Sequence, residues 1–237
     1  MPGPRIPAAH GLVPESVRTT AGERGPVTRI VLIRHGEAVC NVRGVVGGRA
    51  GCSGLTANGR SQVEALAARL ARTGELGSVE ALYASTLTRA KETAALLAPA
   101  LNAWRSGPPL EIREDCDLCE LHPGESDGLT WAQFEDRFAM PDWDVDPSTP
   151  IAPGGESWTG FVDRASSAVS GLAAAHPQGT VVVACHAGVI ESSILRLLPV
   201  DRAVARLRLR TLHASMTVWE HGEGVWLLQR YNDVAQA

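Results

Sequence analysis

Two histidines of this chain stand where chemistry can be done. His35 lies in Arg34-His35-Gly36-Glu37, directly after the apolar run Ile30-Val31-Leu32-Ile33. His186 lies in Cys185-His186-Ala187-Gly188, directly after Val181-Val182-Val183-Ala184. A neutral imidazole is a competent nucleophile and can carry a covalent intermediate. An adjacent arginine offers a cationic fork that grips phosphate bidentately. Gly36 allows a close backbone approach. A lone histidine is more often a core or capping residue. Two of them, each after an apolar run and with arginines nearby, point to a site for an anion.

The elements that must position them are legible as periodicity. Both apolar runs read as buried strands, 29–33 and 180–184, and the loops after such strands are where open α/β sheets bind ligands. Thr56 is a good N-cap for a helix over 57–73, with Val63, Leu66, Ala67 and Leu70 on one face and Gly74 as its stop. Residues 81–84 read as a strand, 87–98 as a helix ended by Pro99, and 110–112 as a weaker strand. A long helix is expected over 156–176 and a short one over 189–198. Two strands, about 215–220 and 225–230, meet at the hairpin signal His221-Gly222-Glu223-Gly224. Strand–helix alternation predicts an α/β three-layer sandwich: a mostly parallel sheet, helices on both faces, and antiparallel C-terminal strands.

Composition narrows the function classes. The 237 residues are 44% hydrophobic and 20% charged, ordinary for a globular protein, and suffice for one good-sized core. A net charge of -4 gives no reason to expect a nucleic-acid partner, and no apolar stretch is long enough to span a bilayer. Lys91 is the sole lysine, a bias towards arginine that suggests a GC-rich, bacterial gene. Residues 1–26 hold five Pro and four Gly without apolar periodicity and read as a flexible leader, leaving 27–237 as the domain and the cytoplasm as the expected compartment. The five cysteines, Cys40, Cys52, Cys116, Cys119 and Cys185, are an odd, scattered set that argues against a disulfide framework. Cys116 and Cys119 form a C-x-x-C pair, but no second pair completes a zinc motif, and reduced structural thiols are the expectation. The sequence does not set the oligomeric state.

Segment 122–156 stands apart. It carries eight acidic residues against a single Arg137, with Trp131, Phe134, Phe138 and Trp143 and several prolines. It reads as an insertion packed over the sheet end. Its aromatics read as packing, and its charges either as a solvated face or as an acidic lid.

Further motifs follow in a fixed order: Asn41 six residues after His35; Ser85-Thr86-Leu87-Thr88-Arg89 opening a helix; Leu118-Cys119-Glu120 leading to Gly124; Pro153-Gly154-Gly155-Glu156-Ser157; then Cys185-His186-Ala187-Gly188. In this order they resemble the histidine phosphatase (phosphoglycerate mutase-like) superfamily, in its small bacterial phosphatase branch, over residues 28–233. The resemblance implies that His35 is the nucleophile and becomes phosphohistidine. It implies that Arg34, Arg89 and His186 bind the phosphoryl oxygens, that Asn41 adds a hydrogen bond, and that the Ala187 N–H adds another. Glu120 is implied as proton donor to the leaving alcohol and then base for water, with His122 and Glu125 as competitors for that role. Asn41 also fits a plain loop cap. No metal and no organic cofactor is implied, since cationic side chains do what magnesium does elsewhere.

Two departures stand out. The family usually has Ser or Thr at the position of Cys185, and often an aromatic at that of Ser126, which suggests an altered pocket rim. The implied function is hydrolysis of a small-molecule phosphate monoester. The alternatives are a phosphoglycerate mutase-type transfer and a catalytically inactive phospho-ligand binding homologue. The short, acidic segment before the second histidine, and His186-Ala187-Gly188 where mutases commonly read His-Gly-Asn, favour hydrolysis. Arginines near the site, Arg34, Arg43, Arg49 and Arg89, would face the transferred phosphoryl, and the acidic segment its leaving remainder.

Overall fold

Strand β1 (Thr28–Arg34) forms from the first apolar run and is buried along almost its whole length. A computed structural model describes residues 26–198 and 209–235. The expected leader therefore lies outside the described residues, apart from Pro26. The remaining strands are β2 (Ala81–Ser85), β3 (Ile112–Asp115), β4 (Thr180–Cys185), β5 (Met216–Gly222) and β6 (Val225–Asp233). They make one six-stranded sheet in the order β3-β2-β4-β1-β5-β6. The β1, β2, β3 and β4 pairings are parallel, and β5 and β6 are antiparallel.

Alternation along β1 builds both cores. Val31 and Ile33 face a cluster with Val63, Leu66, Leu70, Ala94 and Leu97, from helices α2 (Ala57–Thr73) and α3 (Thr88–Asn102). Ile30 and Leu32 face the opposite cluster, with Phe161, Val169, Val189 and Ile190 from α5 (Trp158–Ala175) and α6 (Ala187–Leu197). The period of two thus sends successive side chains to opposite helical layers, giving the expected three-layer sandwich. Thr56 caps α2 by accepting from Gly59 N–H at 2.9 Å, and Gly74 ends it at φ 60.

Some boundaries differ from the sequence reading. Helix α3 runs through Pro99 to Asn102. The proline sits in the last turn, where one lost backbone bond is offset by burial of Ala100 and Leu101. The weak strand falls at Ile112–Asp115 rather than 110–112, because it pairs with β2 over Leu82–Ser85. Helix α6 begins two residues earlier than expected, which makes His186 its N-cap. The short helix α1 (Val39–Arg43) and, within the acidic segment, α4 (Trp131–Arg137) are additions. Phe134 is fully buried with Val46 and Ile151, and its ring meets Trp131 and Phe138 at 5.6 and 5.7 Å. The aromatic face is packing, as expected.

Candidate active site

The strand order lines up the functional residues. β1 and β4 pair with Arg34 opposite Cys185, so the next residue of each, His35 and His186, emerge side by side. The rings are 5.1 Å apart and tilted by 60°, about one strand spacing. On the far side of β4, Ala84 of β2 pairs with Ala184, which brings Ser85 beside His186. On the far side of β1, antiparallel β5 starts beside the end of β1, so His213 lies 5.5 Å from the His35 ring.

The tautomer of His35 follows from its neighbours. Nδ1 lies 2.7 Å from the Gly36 carbonyl oxygen, which can only accept, so Nδ1 carries the proton. Nε2 is then a lone pair, and Arg89 Nε–H donates to it at 3.1 Å. Burial pushes the His35 imidazole well below the usual histidine range, and the guanidinium groups of Arg89 and Arg34 push it further. The result is a neutral imidazole with its nucleophilic nitrogen held among cations. Arg89, from the first turn of α3, is 4% exposed and anchored by a 2.7 Å bond from Nη1 to the Gly47 carbonyl. The R-H-G-E turn is seated by close packing on α2: a Cβ on Gly36 would lie 2.3 Å from the Gly59 carbonyl oxygen. Glu37 completes the seat by accepting the Thr56 hydroxyl at 2.7 Å.

His186 is fully buried, with Nε2 2.8 Å from Ser85 Oγ. Burial is again the largest reason its imidazole stays well below the usual range. Its Nδ1 is buried with no hydrogen-bond partner, and so is Arg34 Nε. Buried polar groups are rarely orphaned. Two of them at the adjacent ends of β1 and β4, Arg34 Nε–H a donor and His186 Nδ1 a donor when it carries the ring proton, suit an acceptor-only anion. Arg34 is itself fixed by its Nη1 bond to the Thr211 carbonyl at 2.5 Å.

Glu120 reaches the same place from the loop after β3. Its Oε2 accepts Gly188 N–H at 3.2 Å, in the first turn of α6. Ala187 opens that helix, so its N–H has no acceptor within it. Asn41 is exposed, and its Oδ1 caps α1 by accepting Ala38 N–H at 3.1 Å, leaving the amide NH2 as its free donor side. The cap that the sequence allowed is therefore the bond it makes. His122 turns Nε2 towards Cys116 Sγ, at 3.6 Å. Ser126 forms no rim: it is fully buried, donating to the Pro123 carbonyl at 2.7 Å. Cys185 is fully buried, and burial pushes its thiol up, so it acts as a small apolar residue behind His186.

Four supporting roles escaped the sequence reading. Ser85 holds His186, and Thr211 holds Arg34. His213 is half-buried and donates from Nδ1 to the His35 carbonyl at 3.3 Å. Asn232 clamps the loop that carries both, accepting Leu212 N–H at 2.6 Å and donating to the Arg210 carbonyl at 3.0 Å.

The assembly offers one neutral nucleophile, three surrounding donor side chains, and a carboxylate within reach of the α6 N-terminus. Such a set suits transfer of a phosphoryl group. A family profile described as histidine phosphatase superfamily (branch 1) matches residues 30–234. The chain is 32% identical over 212 residues to a metal-independent phosphoserine phosphatase of Arabidopsis thaliana, covering 88% of this chain and 83% of that protein. It is 31% identical to phosphoglycerate mutase-like protein 4 of the same plant, over 87% and 85% of the two chains. The structure of mycobacterial glucosyl-3-phosphoglycerate phosphatase in complex with VO3 superposes with a TM-score of 0.69 at 29% identity, covering 86% of this chain and 98% of that one. With the paired histidines, the arginine fork and the sheet order already in place, the profile match over nearly the whole described chain leaves one conclusion: this protein belongs to the histidine phosphatase superfamily.

Proposed function

We propose that the protein hydrolyses small-molecule phosphate monoesters through a phosphohistidine on His35. The observation that carries this reading is the fixed tautomer of His35, whose Nε2 lone pair accepts Arg89 Nε–H, with Arg34 adjacent in the chain and the ring of His186, its Nδ1 orphaned, 5.1 Å away. Substrate phosphoryl oxygens take over the Arg89 donors and fill the socket at Arg34 Nε and His186 Nδ1. Nε2 attacks phosphorus; the N–P bond forms as the ester P–O bond breaks. Glu120 gives its proton to the leaving alkoxide. The Nδ1–H to Gly36 carbonyl bond stabilises the positive charge that develops on the ring. Glu120, now a carboxylate, takes a proton from water as that water attacks phosphorus. The P–N bond breaks, and phosphate and neutral His35 are restored. Asn41, through its NH2, and Ala187, through its N–H, are assigned as auxiliary donors to the phosphoryl group.

No metal enters this scheme, a point supported by the relative named as a metal-independent phosphoserine phosphatase. Residues 27–237 are read as one catalytic domain whose acidic segment 122–156 overhangs the site. Its charge favours monoesters with a neutral or cationic remainder over 3-phosphoglycerate and bisphosphates. Five free cysteines support a reducing compartment, here the bacterial cytoplasm. Among the described residues, no helix is long and apolar enough to cross a membrane.

The test is a phosphomonoester panel, run with and without 2,3-bisphosphoglycerate, that measures released phosphate and mutase product. Phosphate release, inhibited by vanadate, is expected, with acid-labile, base-stable phosphate trapped on the parent and absent from His35→Ala. Substantial turnover by His35→Ala would reject the nucleophile. Mutase product without net hydrolysis would reject the reaction class.

A further inference from the structure

The turn that carries Glu120 also gathers three soft ligands. Cys116, Cys119 and His122 each offer one ligand atom, and these atoms all lie within 4.8 Å of one another. A single 3-10 turn, Cys116–Leu118, closed by Cys119 N–H to the Cys116 carbonyl at 2.9 Å, puts both thiols on one side. His122 Nε2 is 3.6 Å from Cys116 Sγ. Tetrahedral zinc with bonds of about 2.3 Å to sulfur and about 2.0 Å to nitrogen separates those two ligand atoms by about 3.5 Å.

The surroundings are built rather than incidental. Glu156 Oε2 lies 3.6 Å from His122 Nδ1, the far ring nitrogen, longer than a hydrogen bond but on the side a carboxylate takes behind a metal-bound histidine. Glu156 is held in turn by Arg164 at 2.7 Å and by the His122 backbone N–H at 2.8 Å. Arg164 also donates to the carbonyls of Cys116, Asp117 and Cys119, at 3.3, 2.8 and 3.2 Å, which locks the turn that presents the thiols.

Cys119 links this cluster to the histidines. It is 1% exposed, and its Sγ accepts the Ser85 hydroxyl at 3.2 Å and lies 3.1 Å from Thr86 Oγ1. Ser85 Oγ accepts Leu87 N–H at 3.2 Å and has one hydrogen of its own, for which His186 Nε2, at 2.8 Å, competes with sulfur. When Ser85 donates to Nε2, the His186 proton sits on Nδ1, where it can meet a phosphoryl oxygen. When Ser85 donates to sulfur, Nε2 must carry the proton and Nδ1 presents a lone pair to the anion.

We propose that Cys116, Cys119 and His122 bind a thiophilic divalent cation, zinc above all, with water in the fourth position, and that occupancy inhibits the enzyme through Ser85. Binding releases the two thiol protons to solvent and leaves Cys119 a thiolate, a strong acceptor that holds the Ser85 hydroxyl on sulfur and keeps it from turning to His186 Nε2 when an anion arrives. His186 then loses its role as donor, and the carboxylate of Glu120, next in the chain, is held by a stiffened turn. The inhibitory half rests on the phosphatase reading above; the binding half does not.

The experiment uses the full chain, reduced with a phosphine and freed of metal. Cobalt(II) titration should give a thiolate-to-metal charge-transfer band at one equivalent, bleached by zinc, in the parent and in inactive His35→Ala alike. Cys116→Ser should lose the band. In the activity arm, zinc should lower parent turnover on the order of 10²-fold, the size of losing one preorganised donor. EDTA should restore it. Cys116→Ser, assayed without zinc, should turn over as the parent does and resist zinc. Absence of the band, or a band undiminished in Cys116→Ser, overturns the site. Binding without inhibition, or equal inhibition of Cys116→Ser, overturns the coupling through Ser85. A chain that binds cobalt but hydrolyses no monoester overturns the phosphatase reading alone.

Discussion

Replacement of Glu120 by Gln separates its placement from its proton. Oε2 accepts Gly188 N–H at 3.2 Å and Oε1 accepts Leu121 N–H at 3.2 Å. A glutamine oxygen can keep one of these bonds, so the side chain stays in place and only the transferable proton is lost. General acid assistance is worth roughly 10²–10⁴-fold, or about 2.7–5.4 kcal/mol of barrier at 1.36 kcal/mol per decade. That loss falls on substrates whose alkoxide needs a proton. A nitrophenolate leaves with little help, and its kcat/KM should fall by less than about tenfold. Gly188→Ala should give the same pattern by a different route. A Cβ there would lie 2.1 Å from Glu120 Oε1 and 2.8 Å from the Phe161 ring, so the carboxylate must swing away. Overpacking against Phe161 adds a stability loss of about 1–3 kcal/mol, read separately by denaturant unfolding. The assay compares kcat/KM for glycerol phosphate and p-nitrophenyl phosphate in the parent and both variants. Equal losses on the two esters in Glu120→Gln would refute the reasoning and return the acid role to His122 or Glu125.

The remaining expectations concern pH, packing and charge. His35, His186 and His213 are all held below the usual 6.5, burial being the largest cause in each, so the unfolded chain binds protons that the folded one refuses. Stability should be full above that value and fall as pH drops through the lower folded pKa values; a denaturation midpoint that rises on acidification would contradict buried neutral histidines. The acid limb of kcat/KM should likewise inflect below the usual histidine range. A Cβ on Gly59 would lie 2.0 Å from the Glu37 carbonyl oxygen, so Gly59→Ala should cost about 1–3 kcal/mol of stability and reduce turnover by shifting the R-H-G-E turn; parent-like values of both would show that the two backbones are not in tight contact. Neutralising Asp142, Asp144 and Asp146 to Asn should raise kcat/KM for 3-phosphoglycerate relative to a neutral monoester. An unchanged ratio would mean that these exposed carboxylates are screened within about 10 Å at 0.1 M salt and set no selectivity.

The fold was legible wherever burial imposed a period. The runs at 30–33 and 181–184 could only be central strands, and the faces of α2 and α5 announced their buried sides. Legibility failed where tertiary contacts outvoted local signals. Pro99 is a helix stop by local rules, yet Ala100 and Leu101 are buried and keep the last turn helical. β3 has two exposed, charged residues in its centre and is a strand only because β2 offers it an edge. Helix α4 lacks a long apolar stripe; one residue, Phe134, is fully buried, and the cap from Thr130 to Gln133 N–H at 3.2 Å starts it.

The site was legible in a similarly divided way, and the division has a physical origin. His35, Arg34, Arg89, His186 and Glu120 are residues whose chemistry is costly to bury, so their presence beside apolar runs already signals an anion. Ser85, Thr211, His213 and Asn232 have ordinary roles almost anywhere, and nothing in their own neighbourhood marks them. They matter because β2, β4, β1 and β5 are adjacent in that order, and the sequence shows the strands without showing their order. The clearest case is Cys119. Read along the chain, it is half of a C-x-x-C pair with no second pair to complete a zinc site. Read across the sheet, its sulfur touches the serine that decides which nitrogen of His186 carries a proton.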